Sequence, residues 1–173
     1  MATYYYLISS LPALRADQDP PISYDEFLGM CKTAVPSSVY SALEDLSLSS
    51  DKGPLAKEWS VFYKSFKAEL DYQRSIKIGR PRPIPESRDA EAGAVISAAI
   101  GAENPLEAEK LLMSLEFKKL DEMTSLHYFD DYVLMGYALK LKLLERRRTF
   151  KFEDGKEEFT QLFTNIQEQI LKV

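Results

Sequence analysis

The segment between residues 126 and 146 constrains the fold more than any other part of the sequence. Its apolar residues do not keep to one face of a helix but cover most of the circumference in the middle, and they are Phe129, Tyr132, Val133, Leu134, Met135, Tyr137, Leu139, Leu141, Leu143 and Leu144. A helix that is apolar nearly all round is buried on several sides. We therefore expect one long helix from Leu126 to Arg146, surrounded by other elements.

The other periodic segments also follow the spacing of helices. Pro54 suits the first turn of a helix, and the stripe that follows it consists of Leu55, Trp59, Phe62, Tyr63, Phe66 and Leu70. An earlier stripe begins at Tyr24, directly after Ser23 and two residues before Glu26. Ser23 and Glu26 have the spacing of a capping box, in which each side chain accepts a hydrogen bond from the backbone of the other residue.

Further helices are expected on both sides of these two. A short one carries Val39, Tyr40, Leu43 and Leu46, and an alanine-rich one runs from Ala90 to Ala102. Asn104 is placed to cap another helix, with Pro105 at its first position. A last helix is expected after Asp154 and Gly155, with a stripe of Phe159, Leu162, Phe163, Ile166 and Ile170. These patterns predict an all-α fold, an irregular helical bundle.

The opening residues allow two interpretations. Tyr4, Leu7, Ile8 and Leu11 share one face of a helix, whereas Tyr4, Tyr6 and Ile8 would share one face of a strand. Tyrosine favours strands, but no second strand is predicted to pair with this one. We favour the helix, with Tyr4 in the core and with Tyr5 and Tyr6 nearer the surface. No basic residue precedes the apolar run, so the pattern is not that of a signal peptide.

Residues 79–85, Gly-Arg-Pro-Arg-Pro-Ile-Pro, are the strongest candidate for a linker. Alternating prolines fix φ and remove backbone donors, which favours an extended chain. The segment is typical of a stiff linker, and the alternative is a polyproline ligand for an aromatic groove. We expect a single helical domain over residues 1–173, with a possible division into two subdomains at residues 79–85.

Composition excludes several classes of protein. The chain of 173 residues has a formal net charge of −5, which argues against nucleic acid as a partner because phosphate binding usually needs a basic surface. Cys31 is the one cysteine, so no internal disulfide can form. The small and apolar stretch from Ala92 to Ala102 is too short to span a bilayer. We expect a cytoplasmic protein without direct membrane insertion.

Little in the sequence favours catalysis or a cofactor. No two glycines have the GxG spacing of a phosphate-binding loop, and Cys31 lies on an apolar stripe as a buried residue would. His127, the one histidine, precedes Asp130 and Asp131 by three and four residues, so a helix could present an imidazole beside a carboxylate. A partly exposed histidine near a helix start is the simpler interpretation. We expect no cofactor, no metal and no enzymatic activity.

A basic run at residues 140–151 allows two readings. It contains Lys140, Lys142, Arg146, Arg147, Arg148 and Lys151, and it follows a segment from Glu103 to Asp131 that is net acidic. Basic side chains in the last turn offset the dipole of a helix. Three adjacent arginines are more than the helix dipole requires, and they would suit docking to a surface of complementary charge. Both readings stay open.

Two stretches carry a family resemblance. The opening Tyr4-Tyr5-Tyr6-Leu7-Ile8-Ser9-Ser10-Leu11-Pro12, with Pro20 to Ser23 and Glu26 to Leu28, resembles the DUF2764 family, whose members are encoded beside subunits of bacterial V/A-type ATPases. Residues 132–140, Tyr-Val-Leu-Met-Gly-Tyr-Ala-Leu-Lys, followed by Glu145, Arg146 and Arg148, look like the late helix of the V/A-type ATPase C subunit, called d in eukaryotes. That subunit is longer than this chain and is built of similar helical modules.

The resemblance implies a non-catalytic component of the central stalk, which couples ATP hydrolysis or synthesis to proton or sodium transport. Its partners would be the rotor shaft and the membrane rotor ring, which would hold it in the cytoplasm at the inner face of the membrane. The candidate docking residues are Arg146, Arg147, Arg148, Lys142, Tyr5 and Tyr6. Two alternatives stay open: a helical metal-binding or enzymatic domain that uses His127 with Asp130 or Asp131, and a general protein-interaction adaptor.

Overall fold

The computed structural model describes residues 4–148, and every regular element in that range is an α-helix. The all-α prediction is therefore confirmed. The helices are α1 (Tyr5–Ser10), α2 (Tyr24–Cys31), α3 (Ser37–Glu44), α4 (Pro54–Lys77), α5 (Ala90–Gly101), α6 (Pro105–Thr124) and α7 (Asp131–Arg148). The helix expected after Gly155 lies outside the described residues.

The predicted caps form at the helix starts. At α2 the backbone N–H of Ser23 donates to the Glu26 carboxylate over 2.7 Å, and the N–H of Glu26 donates to the Ser23 hydroxyl over 3.2 Å. At α6 the amide oxygen of Asn104 accepts a hydrogen bond from the N–H of Leu106. These bonds satisfy donors that have no partner within the helix. Local sequence therefore defines where α2 and α6 begin.

The end of α4 is closed by a Schellman motif. Gly79 takes the left-handed conformation, with φ of 75°, and its N–H donates to the carbonyl of Ile76. The N–H of Arg80 donates to the carbonyl of Ser75 over 2.9 Å. Glycine is favoured at this position because it has no Cβ to clash. The chain leaves α4 at a fixed angle and enters the proline-rich segment.

α7 forms the centre of the bundle and packs against α2, α3, α4 and α6. Its buried residues lie on nearly all sides, as the sequence predicts, and they are Leu134, Met135, Gly136, Ala138, Leu139, Leu141, Leu143 and Leu144. A Cβ added at Gly136 would lie 2.7 Å from Cγ2 of Thr124 in α6. The two helices can approach this closely only because residue 136 is glycine.

The predicted start of α7 is wrong by five residues, since the helix begins at Asp131 and not at Leu126. Phe129 has a φ of 53°, which interrupts any helical path. Asp130 caps the new helix, because its carboxylate accepts a hydrogen bond from the N–H of Val133 over 3.1 Å. Residues 125–130 therefore form the turn that joins α6 to α7.

The opening residues form α1, which confirms the helix interpretation. Tyr4 and Leu7 are buried, whereas Tyr5 and Tyr6 are exposed, as expected. The backbone N–H of Tyr4 donates to the carbonyl of Phe129 over 2.7 Å. The start of the described chain is thereby tied to the turn before α7.

Residues 80–85 have no regular secondary structure and connect α4 to α5. α5 packs against both α4 and α6, as expected of an alanine-rich helix. The possible division into two subdomains at this segment stays a prediction. Across residues 4–148, no helix combines the length and the apolar character that a bilayer crossing requires.

Candidate partner-docking surfaces

Arg146 lies in an ion-pair cluster between α6 and α7. Its guanidinium donates to both carboxylate oxygens of Glu116 over 3.1 and 2.9 Å and to Glu109 over 3.0 Å. The Glu116 side chain is fully buried. Burial raises the pKa of Glu116, and the charge of Arg146 opposes part of that shift. Arg146 thus supplies the positive charge that a buried carboxylate needs.

The neighbouring basic residues also have partners in the protein. The guanidinium of Arg147 donates to the carbonyl of Ala16 over 2.6 Å and to Asp19 over 3.0 Å. The Lys142 ammonium lies 3.7 Å from the centre of the Tyr24 ring, and burial lowers the pKa of Lys142. These contacts hold the loop before α2, and α2 itself, against α7.

Arg148, in contrast, is exposed at the end of α7. The predicted docking roles of Arg146, Arg147 and Lys142 stay predictions, but the structure gives all three side chains partners inside the molecule. The reason is the position of α7, since a basic run on a central helix meets the carboxylates of its neighbours. Among the basic residues of α7, Arg148 is the one that is exposed.

The opposite end of α7 carries exposed aromatic and aliphatic side chains. Tyr5 and Tyr6 in α1 are 52% and 88% exposed, and Leu126 and Tyr128 in the α6–α7 turn are 87% and 75% exposed. The two elements meet at Phe129, whose ring centre lies 4.8 Å from that of Tyr5. We call Tyr5, Tyr6, Leu126 and Tyr128 the aromatic end surface. Tyrosine is enriched in protein interfaces and in their energetic hot spots.

The backbone under the aromatic end surface is held in place. Phe129 adopts a left-handed conformation that is uncommon for a bulky residue. Its carbonyl is bonded to Tyr4, and its neighbour Asp130 caps α7. The ring of His127 stacks on that of Tyr132 with centres 3.9 Å apart. The exposed side chains therefore project from a turn that is ordered by several contacts.

His127 has the surroundings of a structural residue. Its Nδ1 lies 2.7 Å from the Asp130 carboxylate, and its side chain is partly exposed. The helical arrangement that the sequence suggested does not form, because both residues lie in the turn before α7. In residues 4–148 no group of three or more histidine, cysteine, aspartate or glutamate side chains is arranged to hold a metal ion.

Cys31 is buried in the core, as expected. Burial raises the pKa of its thiol to about 11. A protonated thiol inside the core is neither a nucleophile nor a metal ligand at neutral pH. The structure thus gives Cys31 the properties of a packing residue.

Two open grooves flank the loop that leads into α2. One, of about 540 Å³, is lined by Leu14 to Asp17 and by residues of α6 from Ser114 to Glu122. The other, of about 410 Å³, lies between Asp17, Asp19, Leu106, Glu109, Lys110, Arg147 and Arg148. Both have charged rims, and neither brings together a nucleophile, a base and an oxyanion donor. Their geometry does not favour a catalytic site.

Comparison with known proteins gives one match. Residues 96–170 match the family described as "Protein of unknown function (DUF2764)". The match supports the predicted family. It begins in α5 and includes α6 and α7, so the DUF2764 similarity covers the central helix, whereas the opening tyrosines lie outside it. No curated protein and no solved structure matches the chain.

The sequence interpretation missed half of the aromatic end surface. The sequence pattern placed Leu126 and Tyr128 within the helix expected from Leu126 to Arg146, which was expected to be buried on several sides. The capping potential of Asp130, followed by Asp131 in the first turn, was a signal for a later helix start. Nothing in the sequence indicates the left-handed conformation of Phe129.

Proposed function

We propose that this protein is a non-catalytic component of the central stalk of a bacterial V/A-type ATPase. In such a complex it would help to couple ATP hydrolysis or synthesis to the transport of protons or sodium ions. Its part would be mechanical, because a helical body that fits its neighbours transmits force by shape and by complementary contacts. Its location would be cytoplasmic and peripheral to the membrane.

The proposal rests on a family match and a sequence resemblance that fall on the same helix. The DUF2764 match includes α7, and residues 132–140 of α7, with Glu145, Arg146 and Arg148, are those that resemble the late helix of the C subunit. In this chain most of the resembling residues contribute to packing: Leu134, Met135, Ala138 and Leu139 are in the core, and Arg146 pairs with the buried Glu116. The shared pattern is therefore one of packing, which supports a related helical body rather than a shared contact residue.

The aromatic end surface is our proposed contact with the stalk. Tyr6 of α1, and Leu126 and Tyr128 of the α6–α7 turn, are each more than two-thirds exposed. Because the bond between Tyr4 and Phe129 already orders the backbone that carries them, binding loses less conformational entropy than it would with a flexible segment. Arg148 adds a positive charge at the other end of α7, where it is available to an acidic partner.

A tagged copy expressed at its natural level tests the proposal. We expect the tagged protein to co-purify with ATPase subunits from detergent-solubilised native membranes. A Tyr6→Ser, Leu126→Ser variant should lose these subunits, whereas Val61→Ser, which changes an apolar residue of α4 that is 68% exposed, should keep them. Recovery of the intact protein without any ATPase subunit would contradict the proposal.

Metal analysis separates this proposal from the histidine alternative. The purified protein should contain no stoichiometric metal ion, and His127→Ala should leave the ATPase interaction intact. A stoichiometric metal that disappears in His127→Ala would instead favour a metal-binding function.

A further inference from the structure

The sequence of residues 80–85 imposes an extended backbone at every position. Pro81, Pro83 and Pro85 have φ fixed near −65° by their rings. Arg80, Arg82 and Ile84 each precede a proline, whose ring disfavours the helical region for them by steric clash. We call residues 80–85 the proline strap. Its conformation is close to a polyproline helix before any partner is present.

The protein holds the proline strap at both ends. At its start, Ser75 accepts two hydrogen bonds: its carbonyl from the N–H of Arg80, and its hydroxyl from the N–H of Arg82 over 2.9 Å. Just after its end, the Arg88 guanidinium donates to both carboxylate oxygens of Glu69 over 2.8 and 2.7 Å. Both anchors lie on α4. The proline strap is therefore held against α4 by contacts near both of its ends.

One edge of the proline strap faces the protein, and two edges face solvent. A polyproline helix has three residues per turn, so Arg82 and Pro85 share one edge, Pro81 and Ile84 the next, and Arg80 and Pro83 the third. The first edge carries the contacts with the protein, because the N–H of Arg82 is bonded to Ser75 and Pro85 is partly buried, although the Arg82 side chain itself is 68% exposed. The four residues on the other two edges are exposed. Pro81 and Ile84 thus form an apolar outer edge.

The surroundings of the strap are basic and apolar. Residues 74–82 contain four basic side chains and no acidic one, although the whole chain has a net charge of −5. Nearby carboxylates offset this positive charge only weakly. Asp71 lies 3.5 Å from the Arg82 guanidinium in a solvent-exposed pair, and Glu86 follows the strap. Ile84 is 65% exposed, and Ile78, just before the strap, is 73% exposed.

We propose that the proline strap is a preformed ligand for a partner protein with an aromatic-lined groove and an acidic rim. Aromatic-lined grooves bind polyproline helices. On the outer edge of the strap the residues three apart are Pro81 and Ile84, which offer an apolar surface to such a groove. An acidic rim complements Arg80 and the basic side chains before it. Because the strap is already extended and anchored, binding costs little conformational entropy. This ligand role does not depend on the proposed ATPase function.

Site-specific photo-crosslinking of the full-length protein in native cells tests the ligand role. A benzophenone amino acid is placed at Ile84 in one variant and at Val61 in the control, since these residues are exposed to similar extents, 65% and 68%. The crosslinked peptides are then identified by mass spectrometry. We expect the Ile84 probe to capture one protein at a site that contains aromatic residues flanked by aspartate or glutamate, and the Val61 probe to miss that site.

Two changes in the strap sharpen the test. Arg80→Glu should lower the crosslink yield about tenfold, because it places a like charge against an acidic rim. A synthetic peptide of residues 76–88 should compete with the protein, and a version with the three prolines replaced by alanine should compete poorly. Circular dichroism of Arg80→Glu should match that of the unchanged protein, since the side chain is exposed.

The other outcomes would overturn the ligand role. They are an Ile84 crosslink to a second copy of this chain, a crosslink to lipid, capture at a site without aromatic and acidic residues, equal capture by the Val61 probe, and no capture at all. Each would mean that the proline strap serves only to connect α4 to α5.

Discussion

At the carboxyl end of α7, Arg146 and Arg147 are held by carboxylates and a carbonyl of the same molecule, whereas at its amino end Tyr6 and Leu126 face solvent. The charged run, which suggests a docking site in the sequence, is largely used inside the protein. The aromatic residues, which suggest a core, are partly left outside. In this protein, the burial of the surrounding helix therefore indicates the role of a side chain better than its chemical type does.

Removing Arg146 should have the largest effect on stability. In Arg146→Ala the buried Glu116 loses its counter-charge, which should lower the free energy of unfolding by about 3–5 kcal/mol. Arg148→Ala, two residues on and exposed, should change it by less than about 0.5 kcal/mol. Urea denaturation followed by circular dichroism measures both.

A double substitution shows whether charge or packing causes the Arg146 effect. Replacing Arg146 and its fully buried partner, as Arg146→Met with Glu116→Leu, should recover much of the lost stability, because the carboxylate that remains, Glu109, is 21% exposed and not fully buried. If the double variant is as unstable as Arg146→Ala, the cluster does not act through charge compensation.

Gly136 tests how closely α6 and α7 are packed near the amino end. In Gly136→Ala the new Cβ would lie 2.7 Å from Cγ2 of Thr124, whose hydroxyl is bonded to the carbonyl of Leu120. Such overpacking should lower the free energy of unfolding by about 1–3 kcal/mol. Thr124→Ser in the same chain removes the clashing methyl group and should restore part of the loss.

Gly29 provides the matched control for Gly136. It also lies in a helix, but a Cβ added there would meet no atom within 4 Å. Gly29→Ala should therefore raise the free energy of unfolding by about 0.5–1 kcal/mol through backbone entropy. Opposite signs at the two glycines are expected in thermal or urea denaturation, and equal signs would contradict the close approach of α6 and α7.

Glu69, which anchors the segment after the proline strap, should give a pH-dependent effect. The hydrogen bonds from Arg88 lower the pKa of Glu69, and Gln73 adds a smaller effect against the cost of burial. A lowered pKa in the folded state stabilises the protein above the unfolded pKa, and that stabilisation is lost as the pH falls through the folded pKa.

Glu69→Gln should accordingly lower the free energy of unfolding at pH 7, by about 1–2 kcal/mol. The difference between the two proteins should shrink as the pH is lowered toward 3. Denaturation curves at a series of pH values measure this difference, and a gap that widens toward acid pH would show that Glu69 is not ionised in the fold.

The smallest stability effect is expected at the aromatic end surface. Tyr6→Ser should change the free energy of unfolding by less than about 0.5 kcal/mol, because the ring is 88% exposed. The same substitution should weaken co-purification with the proposed ATPase partners. A large loss of stability would mean that Tyr6 packs in the core, and the contrast between the two ends of α7 would disappear.

The sequence predicts the local parts of this fold better than its contacts. Ser23, Asn104 and Pro54 define helix starts because capping involves residues within one turn. The central place of α7 follows from apolar residues on all its sides. The sequence did not predict that Arg146 pairs with Glu109 and Glu116, although these two glutamates lie seven residues apart, on one face of α6. Pairing across helices depends on how they pack, which no single-chain pattern specifies.

The candidate surfaces show the same limit. The exposure of Tyr5 and Tyr6 was predictable from the helical spacing of α1. The exposure of Leu126 and Tyr128 was not, because it depends on the left-handed turn at Phe129. The extended form of the proline strap was predictable from its prolines, whereas its anchors on α4 depend on side-chain contacts of Ser75 and Glu69, seven and 19 residues before their partners.

The position of α7 also affects how the protein folds during synthesis. The carboxylate of Glu145 accepts a hydrogen bond from the N–H of Tyr24, 121 residues earlier, and α2, α3, α4 and α6 all pack on the same helix. A nascent chain that has reached only residue 130 therefore exposes the apolar faces of these helices. Such intermediates are prone to aggregate and bind chaperones. Folding should be completed only after α7 leaves the ribosome, in one late step.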